Sequence, residues 1–211
     1  MIDYLLRRPD EVWERFVEHL VLTGTSLAIA LAVAIPIGVL LARRKALQGP
    51  VLGALAILYT IPSLALFVLL IPLFGLGIDN GITALVIYAQ VILVRNIVAG
   101  LESVPSSVIE AARGMGMNAA QIFLRIEILL ALPVILAGLR VATLSTVGIG
   151  TIAALVGAGG LGRLLFDGVQ QNNPGKIWAG AIVASLLAVA INHLLRLAEA
   201  HATRATHLER E

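Results

Sequence analysis

Apolar runs separated by sparse charged positions dominate the chain, and the gaps between charges mark its elements. A bilayer core about 30 Å thick needs roughly 20 apolar residues at 1.5 Å rise. Glu18 to Arg43 encloses 24 uncharged residues and predicts a first helix. Lys45 to Asp79 encloses 33, enough for one span and too few for two. Asp79 to Arg95 is shorter, but the apolar run continues through Ile97 and Val98 to Gly100 and Leu101, which predicts a third. Arg140 to Arg163 encloses 22 and, with residues 128–139 before it, makes a long fourth segment. Lys176 to Arg196 encloses 19 and makes a fifth. The expected fold class is an all-α membrane protein with about five transmembrane helices.

Composition agrees with that pattern. Of 211 residues, 59% are hydrophobic and only 13% charged, and mean hydropathy is +0.95. An ordinary soluble domain is roughly 25% charged, so a soluble domain and a disordered chain are both excluded. A net charge of +2 is too small for a nucleic-acid footprint. With no cysteine, disulfides, thiolate nucleophiles and cysteine-bound metals are out. No two of the four histidines stand at an i,i+4 spacing, so no metal site is expected.

Positive residues favour the cytoplasm. With the N-terminus outside, the cytoplasmic segments carry Arg43, Arg44, Lys45, Arg113, Arg125, Arg196, Arg204 and Arg210, eight against five outside (Arg7, Arg8, Arg15, Arg163 and Lys176). The expected arrangement is N-terminus outside, C-terminus inside. Residues 1–18 hold five acids and do not read as a signal-peptide n-region. They read as an external amphipathic segment, with a helix over residues 12–20 lying at the interface through Trp13 and Phe16. A transmembrane domain over 19–198 and a cytoplasmic tail over 199–211 complete the expected organisation. Pro36, Pro62, Pro72, Gly148 and Gly150 interrupt the spans. Such residues are common in membrane helices; they also gather where broken helices line a translocation path.

The longest charged stretch inside the chain, 102–127, lies between the third and fourth spans. Ser107 and Glu110 have capping-box spacing, with Pro105 just before. A short helix over residues 108–113 is expected, stopped by Gly114 and Gly116. Asn118 and Gln121 then cap a second, amphipathic helix that feeds the fourth span. Read locally, Glu110 only completes a cap.

Glu110-Ala111-Ala112, with Gly116 six residues after the glutamate, resembles the EAA motif of permease subunits in type I ABC importers. EAARGMGM at 110–117, IPSLAL at 61–66, ALPVILAGLR at 131–140 and VGAGGLG at 156–162 resemble more specifically the osmoprotectant permeases, which serve glycine betaine, choline, carnitine or proline betaine uptake. The resemblance runs from about residue 20 to 198. One departure stands out: the motif's tail places a proline where this chain has Leu129, while Pro133 is retained.

The resemblance implies a permease fold in which the short EAA helix, here Glu110, Ala111, Ala112, Arg113, Gly114 and Gly116, docks in a groove of a separate ATPase subunit. It also implies a second permease copy or paralogue, an extracytoplasmic substrate-binding protein, and a bacterial or archaeal cytoplasmic membrane. The chain has no G-x-x-x-x-G-K-[ST] phosphate loop. ATP and magnesium are therefore expected on the partner, with no cofactor in this chain. The small Ala111 and Ala112 side chains suit close approach of a partner surface, with Glu110 and Arg113 bonding at its rim.

Gly157–Gly162 fits G-x-G-x-x-G, but it follows no strand and has no acidic residue about 20 positions on, so a close-packed or re-entrant turn ending the fourth span is expected instead of a dinucleotide site. Arg95 and Arg140 are the ionisable residues expected inside spans. Arg95 stands close enough to the cytoplasmic end to snorkel. Arg140 has three possible roles: pairing with helix C-terminal carbonyls, pairing with Glu127, or serving the path. Tyr59, Pro62, Ser63, Asn96, Arg140, Ser145 and Thr146 are candidate path residues, with Tyr88 and Gln90 beside them by position. Most of these polar groups are expected to make helix–helix hydrogen bonds. Trp178 is expected to anchor the interface and His193 to be structural. Two other classes fit less well. A membrane-embedded enzyme needs titratable residues clustered at one depth, and a self-contained secondary transporter needs inverted repeats and coupling carboxylates. A type I permease for another small solute, such as an amino acid, remains the alternative substrate reading.

Overall fold

The computed structural model describes residues 2–207, and helices account for nearly all of them. After a short α1 (Ile2–Arg7), α2 (Pro9–Arg43) runs 35 residues without a break. At 1.5 Å per residue that is about 52 Å, well beyond a hydrocarbon core. The interfacial helix expected over residues 12–20 is therefore the first part of α2, continuous with the first span. Nothing between Trp13 and Leu20 would stop a helix. Pro36 lies inside the helix without breaking it, on an exposed face.

The first span buries Leu22, Ser26, Ala30, Ala34, Gly38 and Leu41 as one narrow stripe of mostly small residues. Small residues let membrane helices approach closely where no hydrophobic effect drives them together. This stripe lies against α5 (Ile78–Glu102), the central helix. At Gly38 a Cβ would stand 2.5 Å from Ile97 Cγ2. On the other side of α5, a Cβ at Gly138 of α8 (Ile128–Gly150) would stand 2.2 Å from Asn96 Cβ. So α2, α5 and α8 form the packed centre.

The 33-residue uncharged gap becomes two helices, α3 (Lys45–Thr60) and α4 (Ser63–Phe74), bent by 99° at Ile61-Pro62. Ile61 is extended, as the residue before a proline tends to be, and Pro62 has no N–H to continue the helix. The Tyr88 hydroxyl from α5 donates to the freed Ile61 carbonyl. Among the described residues four helices are long and apolar enough to cross a membrane, and counting the bent pair as one span gives five. Pro72 lies inside α4 and Gly148 inside α8, so neither interrupts its span.

The loop after α5 holds α6 (Ser106–Gly114) and α7 (Ala119–Ile122). A π-turn over Phe123–Glu127 joins α7 to α8, giving one apolar helix over Ala119–Gly150. After α8 come a 3-10 turn (Ile152–Val156), a ten-residue α9 (Leu161–Gln170) and α10 (Pro174–His207). Helix α9 was not expected, although Leu161, Leu164, Leu165 and Gly168 stand at i, i+3, i+4, i+7. It fills the space between α10 and the end of α8. Helix α10 continues the fifth span through most of the expected tail, of which residues 208–211 lie outside the described residues.

Candidate functional site

The expected coupling segment forms as a helix, a glycine bend and a second helix. Its details differ from the sequence reading. Helix α6 begins at Ser106 with Pro105 as its cap residue, and no side chain caps it; the Ser107–Glu110 box is not made. With the helix starting at Ser106, Ser107 lies inside its first turn and not at the cap position, and Glu110 is exposed. The Asn118–Gln121 box is made in both directions, Asn118 Oδ1 accepting from the Gln121 N–H at 2.9 Å and Gln121 Oε1 from the Asn118 N–H at 2.8 Å. Between the helices Gly116 takes φ +81°, where a side chain would be strained, and lets the chain reverse.

Glu110, Ala111, Arg113, Gly114 and Gly116 are exposed, but Ala112 is 1% exposed and packs inward on its own chain. Only the first group can meet a partner. The inward placement of Ala112 follows from helix geometry: Ile109 and Ala112 share a face at i, i+3, opposite Glu110.

An ion pair with one buried partner joins this segment to the first span. Arg43, in the last turn of α2, donates through both terminal nitrogens to the two oxygens of Glu127 in the π-turn; one of these bonds is 3.0 Å. Glu127 is buried, and the Arg43 guanidinium lies 5.4 Å from the centre of the Phe123 ring. The sequence places no carboxylate inside a span and offers pairing with Glu127 as one of three roles for Arg140. Instead Glu127 falls within the continuous Ala119–Gly150 helix, and Arg140 pairs with Glu199 of α10, Nε to Oε2 3.3 Å. Arg140 stands 13 positions beyond Glu127 along the continuous helix, about 20 Å away, and cannot reach it. At the same end Lys45 stands 3.9 Å from Glu102, and Gln48 donates to Glu102 at 2.8 Å.

The path candidates do not form one cluster. Tyr59, Pro62 and Ser63 sit together at the α3–α4 break, with Tyr59 edge-on to Tyr88 at 5.7 Å between ring centres. Tyr59 is 43% exposed and Tyr88 5%. Arg140, mid-way along α8, pairs with Glu199 of α10. Ser145 is half-buried on α8. The Asn96 amide and Thr146 hydroxyl donate to carbonyls four residues back on their own helices, Ile92 and Ala142. Of the expected helix–helix bonds, Tyr88 to Ile61 and Gln90 to the Ala30 carbonyl (3.2 Å) are made. Arg95, His193 and Trp178 are exposed on the bundle surface.

At the opposite end, the glycine string is the expected close-packed turn. Gly157, Gly159 and Gly160 all take φ near +80°, at 81°, 79° and 80°. The Gly160 N–H donates to Glu18 at 2.8 Å, and a Cβ at Gly162 would stand 1.8 Å from the Thr151 carbonyl oxygen. His19, buried beside Gly160, contacts the Val147 carbonyl through Nε2 at 3.2 Å. Lys176 closes this end, 2.9 Å from Glu11 and 3.6 Å from Asp167. Burial and the adjacent Glu11 raise the Tyr4 hydroxyl above its ordinary pKa.

Comparison with known proteins places this geometry. The family described as binding-protein-dependent transport system inner membrane component matches residues 34–207. The osmoprotectant import permease protein OsmW of Salmonella typhimurium is 41% identical over 199 residues, 92% of this chain and 93% of that protein. The choline transport system permease protein OpuBB of Bacillus subtilis is 34% identical over 205 residues, 97% of this chain and 94% of that one. Among solved structures, the inward-facing MetNI methionine ABC transporter superposes with a TM-score of 0.79 at 25% identity, covering 96% of this chain and 97% of that one.

Proposed function

We propose, because the chain belongs to the family of binding-protein-dependent transport system inner membrane components, that it carries a small osmoprotectant across the cytoplasmic membrane. It is the multi-pass permease subunit of an ABC importer, with ATP hydrolysis on a separate subunit. The observation that carries the substrate class is the 41% identity to an osmoprotectant import permease along nearly the full chain. Choline, glycine betaine and carnitine are the candidate cargoes, each with a quaternary ammonium group.

In this reading α6 presents Glu110, Ala111, Arg113 and Gly114 to a groove of the ATPase, which holds ATP and magnesium. Movement of the docked helix reaches the bundle through the Arg43–Glu127 pair. Cargo passes near the α3–α4 break between two permease copies, where the exposed Tyr59 face offers a weak cation–π contact. A weak contact suits a path, because a tight one would hold the cargo there. A substrate-binding protein delivers cargo from outside, and alternating access follows from the two copies rocking about the break.

The test is uptake by vesicles holding the permease, its ATPase and its binding protein. ATP-driven accumulation of radiolabelled choline, glycine betaine or carnitine is expected. Accumulation of amino acids with none of these three supports the alternative cargo class.

A further inference from the structure

Two adjoining cavities at the Arg43 end hold none of the path residues, and the inference drawn from them rests on the coupling reading, whose Arg43, Arg113 and Glu127 stand on their walls. One is an apolar groove of about 660 Å³ between α2, α5 and the start of α8, walled by residues such as Pro36, Leu40, Ile97, Phe123 and Leu132. The other, about 510 Å³, lies under the coupling segment and is walled by Arg43, Arg113, Met117, Ala119, Ile122 and Glu127. Arg43 borders both. The groove wall runs from Ile35 to Arg43, about 12 Å along α2. The combined space is therefore apolar at span depth and charged at its mouth.

The charge at that mouth is not balanced. Glu127 is taken up by Arg43, while Arg113 and the neighbouring Arg44 have no ion-pair partner among the described residues. Arg43 is itself half-exposed and uses only part of its donor fork on Glu127.

We propose that the two cavities are one binding site for an anionic phospholipid. An acyl chain lies in the groove, and the phosphate sits on Arg113 and the outer edge of Arg43. Three features select this occupant. The groove opens at the depth of the hydrocarbon, its far end is cationic, and guanidinium groups hold phosphate oxygens in pairs. Basic pockets between spans at a membrane surface take anionic headgroups. Since Arg113 belongs to α6 and the groove wall to α2, α5 and α8, the lipid ties the coupling segment to the bundle. The site does not depend on which membrane face the Arg43 end occupies.

The full-length permease, purified with its ATPase from nanodiscs of equimolar phosphatidylglycerol and phosphatidylcholine, tests this by native mass spectrometry of retained lipid. Wild type is expected to retain phosphatidylglycerol in preference. Arg113→Gln is expected to lower that preference about fivefold, the weight of one cation at a membrane surface. Leu132→Trp, which fills the groove and leaves every charge in place, is expected to lower retention of both lipids. Equal retention of the two lipids by wild type, or unchanged retention in Leu132→Trp, overturns the proposal. So does a complex that holds no lipid and whose permease copies separate in Leu132→Trp, since the groove would then belong to a second copy.

Discussion

Ala111 and Ala112 are neighbours in sequence with opposite surroundings, and this separates docking from folding. Ala111 is exposed and Ala112 is buried on its own chain. A charge forced into a packed partner interface costs about 2–5 kcal/mol, enough for 30-fold or more in affinity. Ala111→Asp should therefore abolish ATPase co-purification and uptake while the permease accumulates normally and keeps its thermal stability. Ala112→Asp should lower thermal stability as well, because an unpaired carboxylate is buried within the chain. Wild-type uptake in Ala111→Asp would mean that α6 is only a connecting loop. The Arg43–Glu127 pair is asymmetric in the same way. Arg43→Gln leaves a buried carboxylate uncompensated, about 3–5 kcal/mol for a fully buried pair and less here because Arg43 is half-exposed. Glu127→Gln frees a guanidinium that can turn to water and costs less, about 1–2 kcal/mol. Thermal unfolding of the two variants in detergent should rank them in that order; the reverse ranking would show that the pair does not hold Glu127 in place.

Among the elements, the glycine turn between α8 and α9 is the least forgiving. A methyl at Gly162 would overlap the Thr151 carbonyl oxygen, which is backbone and cannot swing aside. Gly162→Ala should therefore leave little folded permease in the membrane. Gly53→Ala is the control, since nothing lies within 4 Å of a Cβ there. Immunoblots of membrane fractions should show loss of the first and normal amounts of the second. If both accumulate normally, the turn is looser than its packing implies. At the other end of α8, Leu129 stands where the motif has proline. Its N–H is available to the helix, and Ala119–Gly150 passes this point as one helix, with Pro133 carried inside.

For the whole molecule, orientation is the open quantity. Arg43, Lys45, Glu102 and Glu127 lie at one end, and Glu18, Gly160 and Lys176 at the other. The excess of arginine and lysine at the Arg43 end predicts that this end faces the cytoplasm. Single cysteines at the exposed positions Asp79 and Asn172 should label with an impermeant maleimide in intact cells, and one at Ala46 only after lysis. No native cysteine interferes. Asn80, next to Asp79, is unsuitable because it is fully buried, its amide holding the Phe67 and Gly75 carbonyls. The opposite labelling pattern would turn the whole arrangement over and place α6 outside, away from any ATPase.

The spans, the helix–bend–helix segment over 102–127 and the family resemblance were all legible in the sequence. Each depends on local quantities: the distance between charges, the cap at Asn118, the glycines after Arg113. A hydrocarbon layer penalises every unpaired charge and backbone group, so apolar run length alone nearly determines the number of crossings. What the sequence left open concerns partners far apart in the chain. Arg43 and Glu127 are 84 residues apart and meet because α2 and α8 flank α5; Arg140 turns to Glu199 for the same kind of reason. At the 99° bend Tyr88 takes up the Ile61 carbonyl beside Pro62; a proline alone permits either a kink or a straight passage, as Pro36 shows. Whether Ala112 faced a partner or its own chain was likewise decided by which side of α6 the bundle occupied. Helical period groups residues on one face, and only packing says what that face meets.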